Sequence, residues 1–427
     1  MFGNAASIWR RKPFLLAAFS TLAGCAEGVY DEIDLMPSPS VYESAGFDPF
    51  PDVGQDNLKE QSELFFVTDR APATPEDDQP RYTNERGQLL RAGSAEIKIT
   101  PGIDDWEDVR QITLRGQRDQ NYTLEVADTR EFGVLPVSST EFVGAPPAAA
   151  EMDAAGRAFA AKINRQLSLS ENKDIFIYIH GYNVDFEYPV LVSKELQHYL
   201  GYQGVFISYN WPATPNRLAY FKDLETASAT RRNLRVLLEY LSDNTNARRI
   251  HLIGYSAGSR LAFEVTYQIA LQNKGAAGPR LGNVLLISSD LDRGYFGQAL
   301  ADGLLNVVDR MTLYLSGTDA ALGMSNFVYG RQRLGQIWAD EDVWPALEIE
   351  LARLDKLEMI DATDADRASA GNGHWYFRSS PWASSDILVS LLTGYSAAQR
   401  GLVRPDGKAV WSFPTDYLQR LSGLRPN

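Results

Sequence analysis

The chain has 427 residues, 44% of them hydrophobic and 22% charged, which excludes a disordered or fibrous polypeptide and allows one large domain or two smaller ones. Its 55 acidic residues outnumber 41 basic ones, and the net charge of −14 repels polyphosphate, so binding along nucleic acid is disfavoured. One cysteine excludes an internal disulfide framework.

Taken in chain order, the first feature is a basic head. Arg10, Arg11 and Lys12 precede an apolar stretch from Phe14 to Ala23, too short for a permanent membrane span but suited to a secretory signal. Leu22-Ala23-Gly24-Cys25 resembles the lipobox of bacterial lipoproteins, where the thiol is acylated and the chain is cut just before it. The expectation is therefore a signal peptide over 1–24 and a lipid anchor on Cys25. That anchor would hold the protein in the bacterial cell envelope, on the periplasmic face of the outer membrane. Residues 25–60 are rich in Pro, Gly, Tyr, Asp and Glu without a sustained period, and are read as a flexible tether. The folded body is expected over 61–427.

Within the body, Leu64–Thr68, Ala95–Thr100 and Tyr122–Val126 read as early strands separated by long loops, and Ala154–Leu167 as a weak helix. A regular rhythm follows. Short continuous apolar runs at Ile175–Ile179, Val205–Tyr209, Ile250–Gly254, Val284–Ser288 and Thr312–Leu315 alternate with helical stretches at Leu191–Leu200, Ala227–Ser242 and Ser259–Asn273. Strands apolar on both faces and separated by helices predict an α/β fold with a mostly parallel sheet covered on both sides.

Gly254-Tyr255-Ser256-Ala257-Gly258 is the motif that carries chemistry. It lies between a strand and an amphipathic helix, the setting of a nucleophile elbow, in which a tight turn presents the serine hydroxyl at the carboxyl edge of the sheet. A serine hydroxyl needs a base, and there are four histidines. His198 falls within a helix, His251 lies inside the strand leading to the elbow, and His180 precedes the serine. His374, in a loop after the short strand Leu357–Ile360, satisfies the order serine, acid, histidine of this fold. The acid is Asp319, after the Thr312–Leu315 strand, or alternatively Asp290 or Asp292, after the preceding one. The backbone amides of Tyr182 and Ala257 are the candidate oxyanion donors, with His180 orienting the first of these loops. Tyr209, Trp211, Tyr220, Phe221, Trp375 and Trp382 are candidate lining for an acyl pocket. The histidines are scattered and neither an H-E-x-x-H nor a glycine-rich phosphate loop is present, so neither metal nor cofactor is expected.

These pieces resemble a family of bacterial α/β-hydrolases of unknown function, within the esterase/lipase superfamily. The resemblance rests on Phe66-Val67-Thr68-Asp69-Arg70, His180-Gly181-Tyr182-Asn183, Trp211-Pro212, the Ser256 motif, Ser289-Asp290-Leu291-Asp292, Ser316-Gly317-Thr318-Asp319 and Gly373-His374-Trp375-Tyr376, spanning about residues 60 to 395. It implies an α/β-hydrolase fold and a Ser256–Asp319–His374 triad acting on an ester or acyl substrate. The chain departs from its relatives after the serine, where Ala257 stands for a more usual methionine and Ser259 for an asparagine. The competing expectation is a catalytically silent lipoprotein scaffold on the same fold.

Overall fold

The computed structural model describes residues 32–45, 47–50, 62–101, 106–116, 118–141, 143–272, 278–329, 333–336 and 345–422. Among these residues eleven strands form one sheet: β1 (Glu32–Asp34), β2 (Leu64–Pro72), β3 (Tyr82–Thr100), β4 (Thr123–Val134), β5 (Ile175–Ile179), β6 (Val205–Asn210), β7 (Ile250–Tyr255), β8 (Leu281–Ile287), β9 (Val308–Leu315), β10 (Leu357–Asp361) and β11 (Val410–Ser412). Their spatial order is β1-β4-β3-β2-β6-β5-β7-β8-β9-β10-β11. From β2 to β11 every pairing is parallel, whereas β1, β4, β3 and β2 pair antiparallel and extend the sheet on one side.

The helices that matter for the site are α1 (Ser40–Ala45), α2 (Ala149–Leu169), α3 (Glu187–Tyr199), α4 (Tyr220–Ala229), α5 (Arg231–Asn244), α6 (Ala257–Gln272), α7 (Arg293–Ala301), α8 (Ala320–Tyr329) and α9 (Pro381–Thr393). Every residue of β5, β6, β7 and β8 is buried, because helices cover both faces of the sheet, as their continuous apolar sequences require. The fold class expected from sequence is the one observed. One expected helix is two: α4 and α5 meet at Thr230, whose hydroxyl donates to Asp69 and bonds Tyr209 Oη, tying the break to the sheet.

The signal segment and Cys25 lie outside the described residues. Residues 32–45 and 47–50, expected as part of the tether, instead pack on the body. β1 adds to β4, the Met36 amide donates to Glu195, the Val41 amide donates to Ser385, and Val41, Tyr42, Phe47 and Phe50 are buried. These apolar residues fall between prolines without a sustained helix or strand period, so no local pattern reveals them; distant chain receives them, Tyr42 stacking on Tyr199 and Phe50 meeting His198 and Tyr202. No helix among the described residues is long and apolar enough to cross a membrane.

Candidate active site

β7 ends at Tyr255 and α6 begins at Ala257, leaving Ser256 alone in the turn with φ of 51°, a left-handed conformation that a residue with a Cβ adopts only under strain. The turn requires glycine on either side. A Cβ on Gly254 would stand 2.7 Å from Ser259 Cα, and one on Gly258 2.2 Å from the carbonyl oxygens of Ile179 and His180. The Ser256 amide donates to Ile287 O of β8, and the Ser259 hydroxyl donates to Ser256 O, so the strained turn is bonded to both neighbours.

Three separate loops converge on this turn. His374 Nε2 lies 3.0 Å from Ser256 Oγ, and its Nδ1 lies 2.7 Å from Asp319 Oδ2. All three side chains are buried. Facing a carboxylate, Nδ1 carries the proton in the neutral ring, which leaves the Nε2 lone pair directed at the serine hydroxyl. The second oxygen of Asp319 accepts from the Leu322 amide in the first turn of α8, fixing the carboxylate plane. The histidine and acid loops are also joined directly, since the Ala320 amide donates to Asn372 O.

The backbone of His374 is held as firmly as its ring. Its carbonyl accepts from Ser288 Oγ at 3.2 Å and Tyr255 Oη at 3.4 Å, and Asn372 Oδ1 accepts from its amide. Tyr376 Oη bridges two strand ends, accepting from the Ser288 amide and donating to Tyr314 O. Sequence reasoning missed Ser288, Asn372 and the structural part of Tyr376. Only the adjacency of Tyr376 to His374 offered a signal.

The loop after β5 forms the opposite wall. His180 is stacked on Trp211 at 5.0 Å and 3°, its Nδ1 bonds Gly181 O, and Trp211 Nε1 donates to His180 O. Burial, with Arg70 nearby, lowers the His180 pKa to about 3, so its ring is neutral and serves as a prop. Arg70, itself fully buried, donates to Val184 O, Asp185 O and Ala213 O. Asp223 accepts from the amides of Thr214 and Asn183. Residues 183–185 are thereby clamped from both sides, next to Gly181 and Tyr182, which line a cavity with Ser256 and His374. Ala257 stands at the N-terminus of α6, where the first amides lack intrahelical acceptors.

The alternative acids do other work. Asp292 caps α7 through the Tyr295 amide, and the Asp290 carboxylate is held by Tyr220 and Ser325 with Arg333 3.6 Å away. Of the aromatic candidates, Trp375 lines the cavity, Trp211 supports His180, Tyr209 is buried in the sheet, Trp382 packs on Tyr417, and Phe221 is exposed. Tyr220 braces Tyr182 edge-on. Ser256 is not laid open as the elbow pattern suggests: only 7% of its surface is accessible, and Tyr182 and Trp375 line the same small cavity. Among the described residues no cluster of His, Cys, Asp or Glu could hold a metal ion.

Residues 155–391 match the model of a family described as alpha/beta hydrolase of unknown function (DUF900). No curated protein and no solved structure matches the chain.

Proposed function

The chain belongs to this family of alpha/beta hydrolases of unknown function, and on that premise we propose that it is a serine hydrolase cleaving carboxylic esters through an acyl-enzyme on Ser256. The observation that carries the reading is the unbroken relay from Ser256 Oγ through His374 to Asp319, built from three loops at one edge of the sheet. In this mechanism Ser256 Oγ attacks the ester carbonyl as His374 Nε2 takes its proton. The tetrahedral oxyanion lies against the amides of Tyr182 and Ala257, each of which contributes about 10²–10³-fold. His374 returns the proton to the departing alcohol. Water, deprotonated by the same nitrogen, then releases the acid and regenerates Ser256. Asp319 keeps the ring in the productive tautomer and stabilises the imidazolium. Thioesters and amides would use the same groups.

Hydrolysis of p-nitrophenyl acetate by wild type and its loss in folded Ser256→Ala test this reading. A wild type inactive on every ester offered would instead favour the silent scaffold, to which the near closure of the site lends some support. We also propose that the enzyme is anchored in the bacterial envelope through acylated Cys25, on the strength of Arg10–Lys12, the apolar stretch and Leu22–Cys25. Cys25→Ser should abolish incorporation of labelled palmitate; label in that variant would refute the anchor.

A further inference from the structure

Resting on the hydrolase reading of Ser256, we propose that the site takes esters of acetyl-sized acyl groups, and that Trp375 sets the upper limit. The cavity at Ser256 measures about 10 Å³, the size at which a cavity holds a single water molecule, so among acyl substituents a methyl is the one that demands least widening. Its lining includes Tyr182 and Val184 from the loop after β5 and the contacting rings of Tyr255 and Trp375. The reaction fixes how an ester must lie there. Its carbonyl oxygen faces the Tyr182 and Ala257 amides, and its alkoxy oxygen faces His374 Nε2, which must protonate it. The acyl substituent is left to point between the two aromatic walls.

Neither wall yields easily. Tyr255 lies 4.9 Å from Trp375 and 4.8 Å from Phe377, and Trp375 also meets Tyr188 edge-on at 5.6 Å. Tyr182 rests against Tyr220 at 5.1 Å, and the Tyr220 hydroxyl is anchored on buried Asp290. Each added methylene must therefore displace a braced ring, and close-packed surroundings resist such overpacking. Trp375 is only partly buried, which makes it the ring whose removal opens the cavity at least cost to the core. The substrate class is thus an O-acetyl ester whose alcohol part stays outside the cavity. Attack forms the Ser256–acetyl bond and breaks the acetyl–alkoxy bond, the alcohol leaving with the proton first taken from Ser256. Water then releases acetate.

The test is kcat/KM for p-nitrophenyl acetate, butyrate and hexanoate, the leaving group held constant, beside adduct formation at Ser256 with methanesulfonyl fluoride. The expected result is at least a 100-fold fall from acetate to hexanoate. Trp375→Ala should raise the hexanoate-to-acetate ratio at least 10-fold, and Trp375→Leu, a milder change, should move it the same way. A wild type that cleaves hexanoate as well as acetate overturns the size limit while leaving the hydrolase reading intact. An unchanged ratio in both folded variants removes Trp375 as the determinant. Failure to form any adduct or to cleave any ester overturns the hydrolase reading, and the size limit with it.

Discussion

Two histidine–aspartate pairs stand at opposite ends of β7, and the contrast between them separates a pair held within the sheet from the one we propose to be reactive. Near the start of the strand, His251 Nε2 meets Asp174 at 3.3 Å; just beyond its end, His374 Nδ1 meets Asp319 at 2.7 Å. All four groups are buried. The difference lies in the other ring nitrogen. His251 Nδ1 accepts from the Asn283 amide at 2.9 Å, and its ring is stacked on Phe176, so its capacity is used up by the sheet. His374 Nε2 instead faces Ser256 Oγ. A histidine–carboxylate contact alone therefore indicates little; the atom facing the free lone pair decides what the pair can do.

Two individual carboxyls, Asp174 beside His251 and Asp223 at the clamp after β5, shift in opposite directions. Burial pushes the Asp174 carboxyl up, but hydrogen bonds from His251 and Arg248 outweigh it and leave the pKa below the ordinary 3.8. At Asp223, which helps clamp the loop after β5, burial prevails and raises the carboxyl from 3.8 to about 6 despite its bonds to Thr214 and Asn183.

The comparison breaks most decisively if the histidines are exchanged in importance. His374→Ala should lower kcat on p-nitrophenyl acetate by about 10⁴–10⁶-fold, as expected for a group that acts as a unit with its nucleophile. His251→Ala should leave kcat within about 3-fold. Asp319→Asn comes next, with a loss of about 10⁴-fold from the wrong tautomer; a comparable loss in Asp290→Asn or Asp292→Asn instead would move the acid to the preceding strand. In urea unfolding, His251→Ala should cost about 2–3 kcal/mol, because it opens a cavity and strands the Asn283 amide. A neutral effect would show that the amino-edge pair is not structural.

Stability against pH sharpens the contrast further. Asp174 binds its proton less tightly folded than unfolded, so its stabilisation is present above the ordinary carboxylate range and is lost as pH falls through its lowered value. Asp223 has the opposite sign. Its contribution is full below about pH 4 and declines by roughly 3 kcal/mol as pH rises towards 6. Asp223→Asn should flatten that decline in unfolding curves at pH 4, 5 and 6, and an unchanged slope would contradict the shift. The smallest effect belongs to Asp292→Asn. Asparagine caps a helix about as well as aspartate, so stability should change by less than about 1 kcal/mol.

Much of this was legible in sequence because its causes are local. β5 to β9 announce themselves through continuous apolar runs, since strands covered on both faces have no polar side. Ser256 is marked by flanking glycines that the turn cannot do without. What stayed hidden depends on distant chain. Asp174 and His251 are far apart in sequence and meet only because β5 and β7 are neighbours. Arg70 shows no local sign that it would reach the carbonyls of Val184 and Asp185, and residues 32–45 and 47–50 lack any sustained period although they pack on the body. The degree of closure over Ser256 depends likewise on rings from two distant loops, Tyr182 and Trp375.

The central claim is that His374 makes Ser256 nucleophilic, and reaction with methanesulfonyl fluoride tests it most directly. Intact mass and peptide mapping of the wild type should show a single sulfonyl adduct on Ser256, absent over the same time from folded His374→Ala. A folded wild type without the adduct, or an adduct that forms equally fast in His374→Ala, would contradict the account.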